Sequence, residues 1–267
     1  MNIDLDSILL EVIKIAKRAG AYIRHESLKF NRDHIEEKGI NDLVSYVDKE
    51  AEKMIVQTLK FTLKEAGFIT EEGTETERGS EYNWVIDPLD GTTNFIHGLP
   101  PYSVSIALLH KDEPVIGVVY EINSDECYYA VKDGKAFCNQ DEIHVSSVPK
   151  FKQGLYITGF PYDLYDDVPR FAKLFEHFMR NTHGIRRLGS AAVDLAYVAA
   201  GRSEGFFQKG LKIWDVAAGV LILKQAGGSI SDFNGKDNYL AGGEVVAGNP
   251  NVQPEMLNII GKYWETK

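Results

Sequence analysis

Residues 84–98, WVIDPLDGTTNFIHG, are the stretch of this sequence that decides its fold. The apolar residues before Asp87 predict a buried strand, and Pro88, which has a fixed φ angle and no backbone N–H, predicts a turn at its end. Asp90 lies three residues after Asp87, so a tight turn can aim both carboxylates and the Leu89 carbonyl oxygen at one point. Because Mg²⁺ prefers carboxylates together with water and substrate phosphate oxygens, this stretch predicts a magnesium site.

The second half of the stretch has two interpretations. Gly91, Thr92 and Thr93 fall at a predicted helix start, where backbone N–H groups can receive a phosphate group. The alternative is an Asp-Gly turn with incidental acidic residues, which is common in proteins. An isolated Asp-Gly pair favours the turn, whereas the complete run favours a functional site.

Acidic residues in three other segments are candidates for the same metal site. Glu71 and Glu72 are adjacent, and on an extended backbone their side chains point to opposite sides. We therefore expect Glu71 to bind a metal ion and Glu72 to orient water or a neighbouring group, although acidic pairs are usually a solvated surface. Asp215, after Trp214, precedes a predicted helix and can cap it, bind metal, or do both with its two oxygens. Asp48 precedes another predicted helix and has the same capping interpretation.

The amino-acid composition and net charge limit which classes of protein this chain can belong to. The chain has 267 residues, 44% of them hydrophobic and 25% charged, and a formal net charge of −10. These values predict a globular protein that binds neither nucleic acid nor anionic membranes, while a phosphorylated substrate remains compatible if bound cations reverse the local field. Two cysteines, an acidic N-terminus and the lack of a long apolar run predict a soluble, cytoplasmic protein. We expect a single domain, residues 1–267, with two tightly packed halves, residues 1–148 and 149–267.

Hydrophobic periodicity and turn residues predict the main helices and strands. Turn residues at 123–126 and 132–135 indicate that the strands around them are antiparallel. The predicted helices cover residues 5–23, about 49–65 (closed by Gly67), 169–181, 189–201 and 215–228, and the predicted strands cover 82–87, 104–110, 114–121, 127–132, 154–160 and 203–207.

Taken together, the acidic segments resemble the inositol monophosphatase family of lithium-sensitive, magnesium-dependent phosphatases. The family pattern of Asp, Glu-Glu, DP(I/L)DGT and WDxAA is matched at Asp48, Glu71-Glu72, residues 87–92 and residues 214–218. The order and separation of the four pieces make the resemblance specific, and it extends over essentially the whole chain. It implies an α+β fold, a layered α-β-α-β-α sandwich, and a homodimer that acts on a small phosphorylated metabolite.

The resemblance also implies a role for each matched residue. Asp48 and Thr92 would form a pair that helps to activate the attacking water, beside the role in orienting water that the local sequence pattern gives to Glu72. Water would attack phosphorus directly, without a phosphoenzyme. Lys38 would lie near the third metal. The ligands of two or three Mg²⁺ ions would be Glu71, Asp87, the Leu89 carbonyl, Asp90 and Asp215, and the substrate contacts would be Gly91, Thr92, Thr93, Gly189, Ser190, Ala191, Gln208 and Asp215.

One position departs from the pattern of the inositol-specific members. These commonly have a Glu seven residues before the WD aspartate, where this chain has Gln208. A glutamine offers one acceptor and two donors and has no charge, so it would not repel a second anionic group on the substrate. We therefore expect sugar bisphosphates or nucleotide phosphates to be accepted beside inositol phosphate. Arg186 and Arg187 could reach a second phosphate, and the alternative is a pair of surface arginines.

Three other classes of protein fit the sequence less well. Haloacid-dehalogenase phosphatases space their two aspartates as D-x-D, whereas this chain has D-P-L-D at residues 87–90. The seven histidines show neither HxH nor HExxH spacing, which argues against a zinc hydrolase. A family member that acts only as a protein-binding regulator is expected to have lost metal ligands, and none is lost.

Overall fold

The computed structural model describes residues 3–31, 35–39, 42–160 and 165–264; the Lys38 side chain lies outside the described residues. Its helices are α1 (Leu5–Ser27), α2 (Tyr46–Thr62), α3 (Thr92–His97), α4 (Val168–Asn181), α5 (Ala191–Ala199), α6 (Ile213–Gln225) and α7 (Gln253–Trp264). Its strands are β1 (Ile35–Gly39), β2 (Asp42–Ser45), β3 (Gly67–Thr70), β4 (Tyr82–Asp90), β5 (Ser103–His110), β6 (Glu113–Glu121), β7 (Glu126–Val131), β8 (Ala136–Cys138), β9 (Asp141–Glu142), β10 (Leu155–Thr158), β11 (Gly184–Arg186), β12 (Gly205–Lys209), β13 (Ser229–Ser231) and β14 (Glu244–Gly248).

The two N-terminal helices are capped by side chains in the way their sequences dictate. Asp4 accepts a hydrogen bond from the Ser7 backbone N–H and starts α1, which continues one turn beyond its predicted end. Ser45 starts α2 and Leu63 ends it, so the helix lies about three residues earlier than predicted. Gly67 does not close α2, because it is the first residue of β3.

A seven-stranded sheet forms the first β layer, in the order β3-β4-β5-β6-β7-β8-β9. The pairing of β3 with β4 is parallel and the other pairings are antiparallel, as predicted for the strands from 104 to 132. Both faces of its central strands are buried. Trp84 and Ile86 pack into a core formed with α1 and α2, whereas Val85 packs into a second core formed with α5 and α6.

A five-stranded mixed sheet, in the order β11-β10-β12-β14-β13, forms the second β layer. Phe206 faces the core that contains α5 and α6, and its neighbour Phe207 faces a third core with Phe178 of α4 and Met256 of α7. The layers are therefore α1 and α2, the first sheet, α5 and α6, the second sheet, and α4 and α7. This order confirms the predicted α+β, α-β-α-β-α sandwich.

Helix α6 lies close to the first sheet because small residues meet there. A Cβ atom at Gly117 of β6 would be 2.6 Å from the Ala218 carbonyl oxygen, a distance that no side chain tolerates. On the same helix, a Cβ at Gly219 would be 2.7 Å from the Leu195 Cβ of α5. Gly117 therefore lets α6 sit directly on the sheet, and Gly219 lets α5 and α6 approach each other within the middle helical layer.

Several elements were not predicted from the sequence, among them the final helix α7 and the strands β13 and β14. Cys127 and Cys138 are free thiols. Among the described residues, none of the helices is both long and apolar enough to span a bilayer.

Candidate metal-binding site

Strand β4 carries the two central aspartates on either side of a β-bulge. Asp87 pairs with Ser105 of β5 and Asp90 pairs with Ser103, so two residues of β4 lie opposite one of β5. The Leu89 backbone N–H donates to the Asp87 Oδ1 atom at 3.0 Å. The strand therefore runs on to Asp90 and bends at a bulge, and the tight turn predicted at Pro88 is wrong.

Helix α3 starts at Thr92, where the sequence predicted a helix start. Gly91 precedes it with a φ of 98°, in the left-handed region that favours glycine. A Cβ there would lie 3.1 Å from the Gly189 carbonyl oxygen, so the glycine also lets the two loops approach each other. Asn94 ties them together, because its side-chain amide donates to the Leu188 carbonyl oxygen at 2.8 Å. Thr93 is exposed beside them.

Asp90 is held by the start of α5. Its Oδ2 atom accepts hydrogen bonds from the Ser190 hydroxyl at 2.6 Å and from the Ala192 backbone N–H at 2.7 Å. Ser190 also begins α5, since its hydroxyl oxygen accepts from the Val193 backbone N–H. Burial raises the pKa of Asp90, and these two hydrogen bonds oppose the rise. The segment 189–191 thus fixes a predicted metal ligand; its contact with substrate stays a prediction.

Asp48 and Thr92 form a pair, as the resemblance implied. The Thr92 hydroxyl lies 2.9 Å from the Asp48 Oδ1 atom and 3.0 Å from the Leu89 carbonyl oxygen. Asp48 is 1% exposed, and its Oδ2 atom accepts from both the backbone N–H and the hydroxyl of Ser45. Burial raises the pKa of Asp48 against these hydrogen bonds. Asp48 is the third residue of α2 rather than a residue before the helix, so it both supports the helix start and contacts Thr92.

Glu71 lies next to the end of β4. Its backbone N–H donates to the Ile86 carbonyl oxygen at 3.2 Å, which places the residue beside Asp87. Asp87 is 2% exposed, and burial followed by repulsion from Glu71, Asp90 and Asp215 raises its pKa well above the usual range. Four carboxylates from three separate segments therefore share one electrostatic environment.

Asp215 reaches this environment from α6. The helix begins at Ile213, two residues before its predicted start, so Asp215 caps it as the third helical residue and not as the residue before the helix. Its Oδ2 atom accepts from the Lys212 backbone N–H at 2.7 Å. Burial and repulsion from Asp90 raise the pKa of Asp215 to about 7.

The donor set fits a hard divalent cation. Glu71, Asp87, Asp90 and Asp215 supply only oxygen ligands, and their mutual repulsion is relieved when a cation binds. As they stand, no three His, Cys, Asp or Glu side chains in the described ranges form a group that could hold a metal ion. Mg²⁺ is compatible with this looser arrangement, because it commonly takes one or two carboxylates and completes its shell with water and substrate oxygens.

The two arginines before the 189–191 segment differ in exposure, and one of them interacts with Asp90. Arg186 is exposed, but Arg187 is half-buried with its guanidinium carbon 5.2 Å from the centre of the Phe160 ring. A Cβ at Gly189 would fall 2.3 Å from the Arg187 Nη1 atom, so this glycine makes room for the guanidinium group. Asp90 and the buried Asp194 both interact electrostatically with Arg187.

Gln208 lies on β12, seven residues before Asp215. A Cβ at Gly159 would be 1.9 Å from its Oε1 atom, so its amide lies over the backbone at the end of β10. Strand alternation points Gln208 to the same side as Phe206, toward the middle helical layer that carries Asp215. Whether it contacts substrate stays a prediction.

The fold and the site together define a layered α+β protein with an acidic, oxygen-rich centre where three segments meet. The model of the Inositol monophosphatase family matches residues 4–265, and the chain belongs to this family. Members of the family are generally metal-dependent.

Relatives of two kinds are similar over nearly the whole chain. The inositol-1-monophosphatase of Mesorhizobium japonicum is 39% identical over 258 residues, 96% of this chain and 97% of the relative. The Nus factor SuhB of Escherichia coli is 40% identical over 246 residues, 92% of each chain. The crystal structure of the extragenic suppressor protein SuhB from Bartonella henselae has a TM-score of 0.91 at 35% identity, covering 95% of this chain and 98% of that one.

Proposed function

We propose that this protein is a Mg²⁺-dependent phosphomonoesterase that acts on small phosphorylated metabolites. The observation that supports this most directly is the environment of Asp87, a buried carboxylate that three further carboxylates repel. Such a cluster is unfavourable without bound cations, and bound cations give an acidic protein the means to bind a phosphate group. The similarity to an inositol-1-monophosphatase supports the same reaction class.

The residues of the chain have separable tasks in this reaction. Bound Mg²⁺ would lower the pKa of a water molecule, orient the phosphoryl oxygens and stabilise the leaving oxygen. Glu71, Asp87, Asp90, Asp215 and the Leu89 carbonyl would hold the ions. The Thr92 hydroxyl, which can donate to Asp48, keeps lone pairs that can accept from the attacking water and so orient it. Glu72 would orient the same water from the neighbouring loop.

The phosphate group would be received by the backbone N–H groups of residues 91–93 at the start of α3. Ser190 and Gln208 would contact the rest of the substrate. Direct attack by water leaves free phosphate and an alcohol, and no aspartate is needed as a nucleophile. Gln208 removes a charge that inositol-specific members carry, so we propose a specificity that extends to sugar bisphosphates or nucleotide phosphates.

A second candidate function is regulation through binding to other macromolecules. It is favoured by the similarity to a relative named Nus factor SuhB. An Asp90→Asn variant separates the two functions, because it loses a metal ligand while the surface is unchanged. The variant would replace the wild-type protein in cells, and their growth would be compared with that of wild-type and deletion strains. Wild-type growth would favour regulation, whereas growth like that of the deletion strain would favour catalysis.

The catalytic proposal is tested by removing and restoring metal. Phosphate release should vanish in chelator-treated protein, return with Mg²⁺ and return in part with Mn²⁺, measured on a panel ranked by kcat/KM. The panel should include inositol 1-phosphate, fructose 1,6-bisphosphate, histidinol phosphate and a nucleotide 3′-phosphate. Full turnover in metal-free protein would overturn the proposal, and so would a trapped aspartyl-phosphate.

A further inference from the structure

Glu52 of α2 is a buried carboxylate that holds the loop carrying Glu71 and Glu72. It is 0% exposed, and each of its oxygens accepts a hydrogen bond from that loop. The Oε2 atom accepts from the Glu72 backbone N–H at 2.8 Å, and the Oε1 atom accepts from the Thr74 backbone N–H at 2.8 Å. Both bonds end on backbone groups, so they fix the path of the loop rather than one side chain.

The same helix holds another part of the candidate site. Asp48 and Glu52 are four residues apart, so they lie one above the other on one face of α2. Asp48 contacts Thr92, and Glu52 contacts the backbone at Glu72. A single rigid helix therefore sets the distance between the pair that would orient water and the loop that would bind metal.

Other contacts hold the two ends of the loop. Its first residue, Glu71, is tied to β4 through the Ile86 carbonyl oxygen, and Glu75 pairs with Lys60 at 2.5 Å. Between these two ends, the backbone at residues 72 and 74 is held by Glu52. Burying a carboxylate is costly unless charge-assisted hydrogen bonds offset it, so Glu52 is stable in place only when the loop is in this position.

We infer that Glu52 is a positioning residue for metal binding: it acts through the loop on Glu71 and Glu72 without touching metal or substrate. The inference rests on the proposed function for its catalytic consequence. Groups that orient ligands in this way typically change metal affinity or activity by about 10- to 100-fold when they are replaced.

Two substitutions separate position from charge. Glu52→Gln keeps the volume but places an NH₂ group against one of the two backbone N–H groups, so one hydrogen bond is lost. Glu52→Asp keeps the charge and both oxygens but is one methylene shorter, so it reaches the loop poorly. Asp232→Ala is the control, because Asp232 is 6% exposed and its Oδ1 atom accepts from both the Asn234 and the Lys236 backbone N–H groups in a turn of the second sheet, so the substitution removes two buried hydrogen bonds away from the loop.

The first measurement is amide hydrogen exchange of residues 70–76 in metal-free protein. The second is a Mg²⁺ titration, which gives the concentration needed for half of the maximal increase in melting temperature and for half of the maximal rate of phosphate release. Both Glu52 variants should lose protection at residues 72 and 74 and need about tenfold more Mg²⁺. The control should lose stability but keep the wild-type Mg²⁺ response.

Wild-type exchange and Mg²⁺ response in Glu52→Gln would overturn the inference, and rescue by Glu52→Asp would show that charge matters instead of position. If wild-type protein shows no Mg²⁺ response at all, the proposed function fails, while the exchange data still decide whether Glu52 holds the loop.

Discussion

The Thr92 hydroxyl oxygen lies 2.9 Å from the Asp48 Oδ1 atom, although the two residues are 44 positions apart in the chain. Ser45 holds the other Asp48 oxygen, so the carboxylate cannot turn away from Thr92 without losing two hydrogen bonds at the start of α2. The Thr92 hydroxyl oxygen is therefore held in position by Asp48 and the Leu89 carbonyl oxygen before any substrate arrives.

Replacing this hydroxyl should remove most of the activity. Thr92→Val keeps the shape of the side chain but cannot orient water, so we expect kcat to fall by about 100- to 10,000-fold with KM little changed. Thr92→Ser keeps the hydroxyl and should retain most of the activity. Thr58→Val, on the middle of α2, is the control for losing a threonine hydroxyl that bonds only a helix carbonyl. A Thr92→Val variant with wild-type kcat would exclude Thr92 from the reaction.

Neutralising Asp90 should abolish turnover and leave the fold intact. The Asn oxygen in Asp90→Asn can still accept from the Ser190 hydroxyl and the Ala192 N–H, but one charge is removed from a repulsive cluster. The metal-free variant should therefore melt at or above the wild-type temperature, because functional sites commonly exchange stability for activity. Calorimetry and kcat at saturating Mg²⁺ are the two measurements. Wild-type turnover would show that Asp90 is not a ligand.

The stability of the metal-free protein should depend on pH through Asp215. Its folded-state pKa is raised to about 7 from its ordinary value of 3.8, so as the pH falls the folded form takes up a proton before the unfolded form does. This uptake stabilises the fold as the pH falls, and the benefit is lost as the pH rises through about 7. Melting temperatures in chelator should therefore increase from about pH 8 to about pH 6, and less so in Asp215→Asn. An identical trend in both proteins would contradict the assignment.

Specificity should move with the charge at position 208. Gln208→Glu restores the carboxylate of the inositol-specific pattern, which would accept from ring hydroxyls and repel a second phosphate. We expect the kcat/KM ratio of inositol 1-phosphate to fructose 1,6-bisphosphate to rise by about tenfold or more. Gln153→Glu adds the same charge at an exposed site and controls for general electrostatics. An unchanged ratio would mean that residue 208 does not face the substrate, and the phosphatase proposal would stand without it.

The long periodic segments of this fold could be predicted, because their local patterns agree with their final packing. The helix of residues 5–23 and the strands from 104 to 132 are examples. Boundaries are less accurate where a side chain caps a helix from inside it: Asp215 caps α6 as its third residue, so the helix begins at Ile213 and not at residue 215. The order of the mixed second sheet depends on pairings far apart in sequence, such as β12 with β14, and no local pattern encodes them.

The candidate ligands could be predicted because they lie in the specific motif at residues 87–92 and in three shorter pieces of the family pattern, at Asp48, Glu71-Glu72 and residues 214–218. The bulge in β4 was not predicted, since two residues opposite one is a property of the pairing with β5. Glu52 was missed because a glutamate on a helix looks like part of a solvated face, and only the folded chain brings it to the Glu72 N–H. The roles of the site residues, the homodimer, the division at residue 148 and lithium sensitivity stay predictions.

Gly117 links the packing of the protein interior to the position of a candidate metal ligand. The glycine lets the α6 backbone rest on β6 at Ala218, three residues from Asp215 on the same helix. The depth at which α6 sits is thus set by sheet packing, and the same depth sets where Asp215 meets the other carboxylates. A substitution that moves α6 away from β6 would therefore also move Asp215 relative to the other carboxylates, so changes in the interior packing of the middle layer reach the candidate metal site.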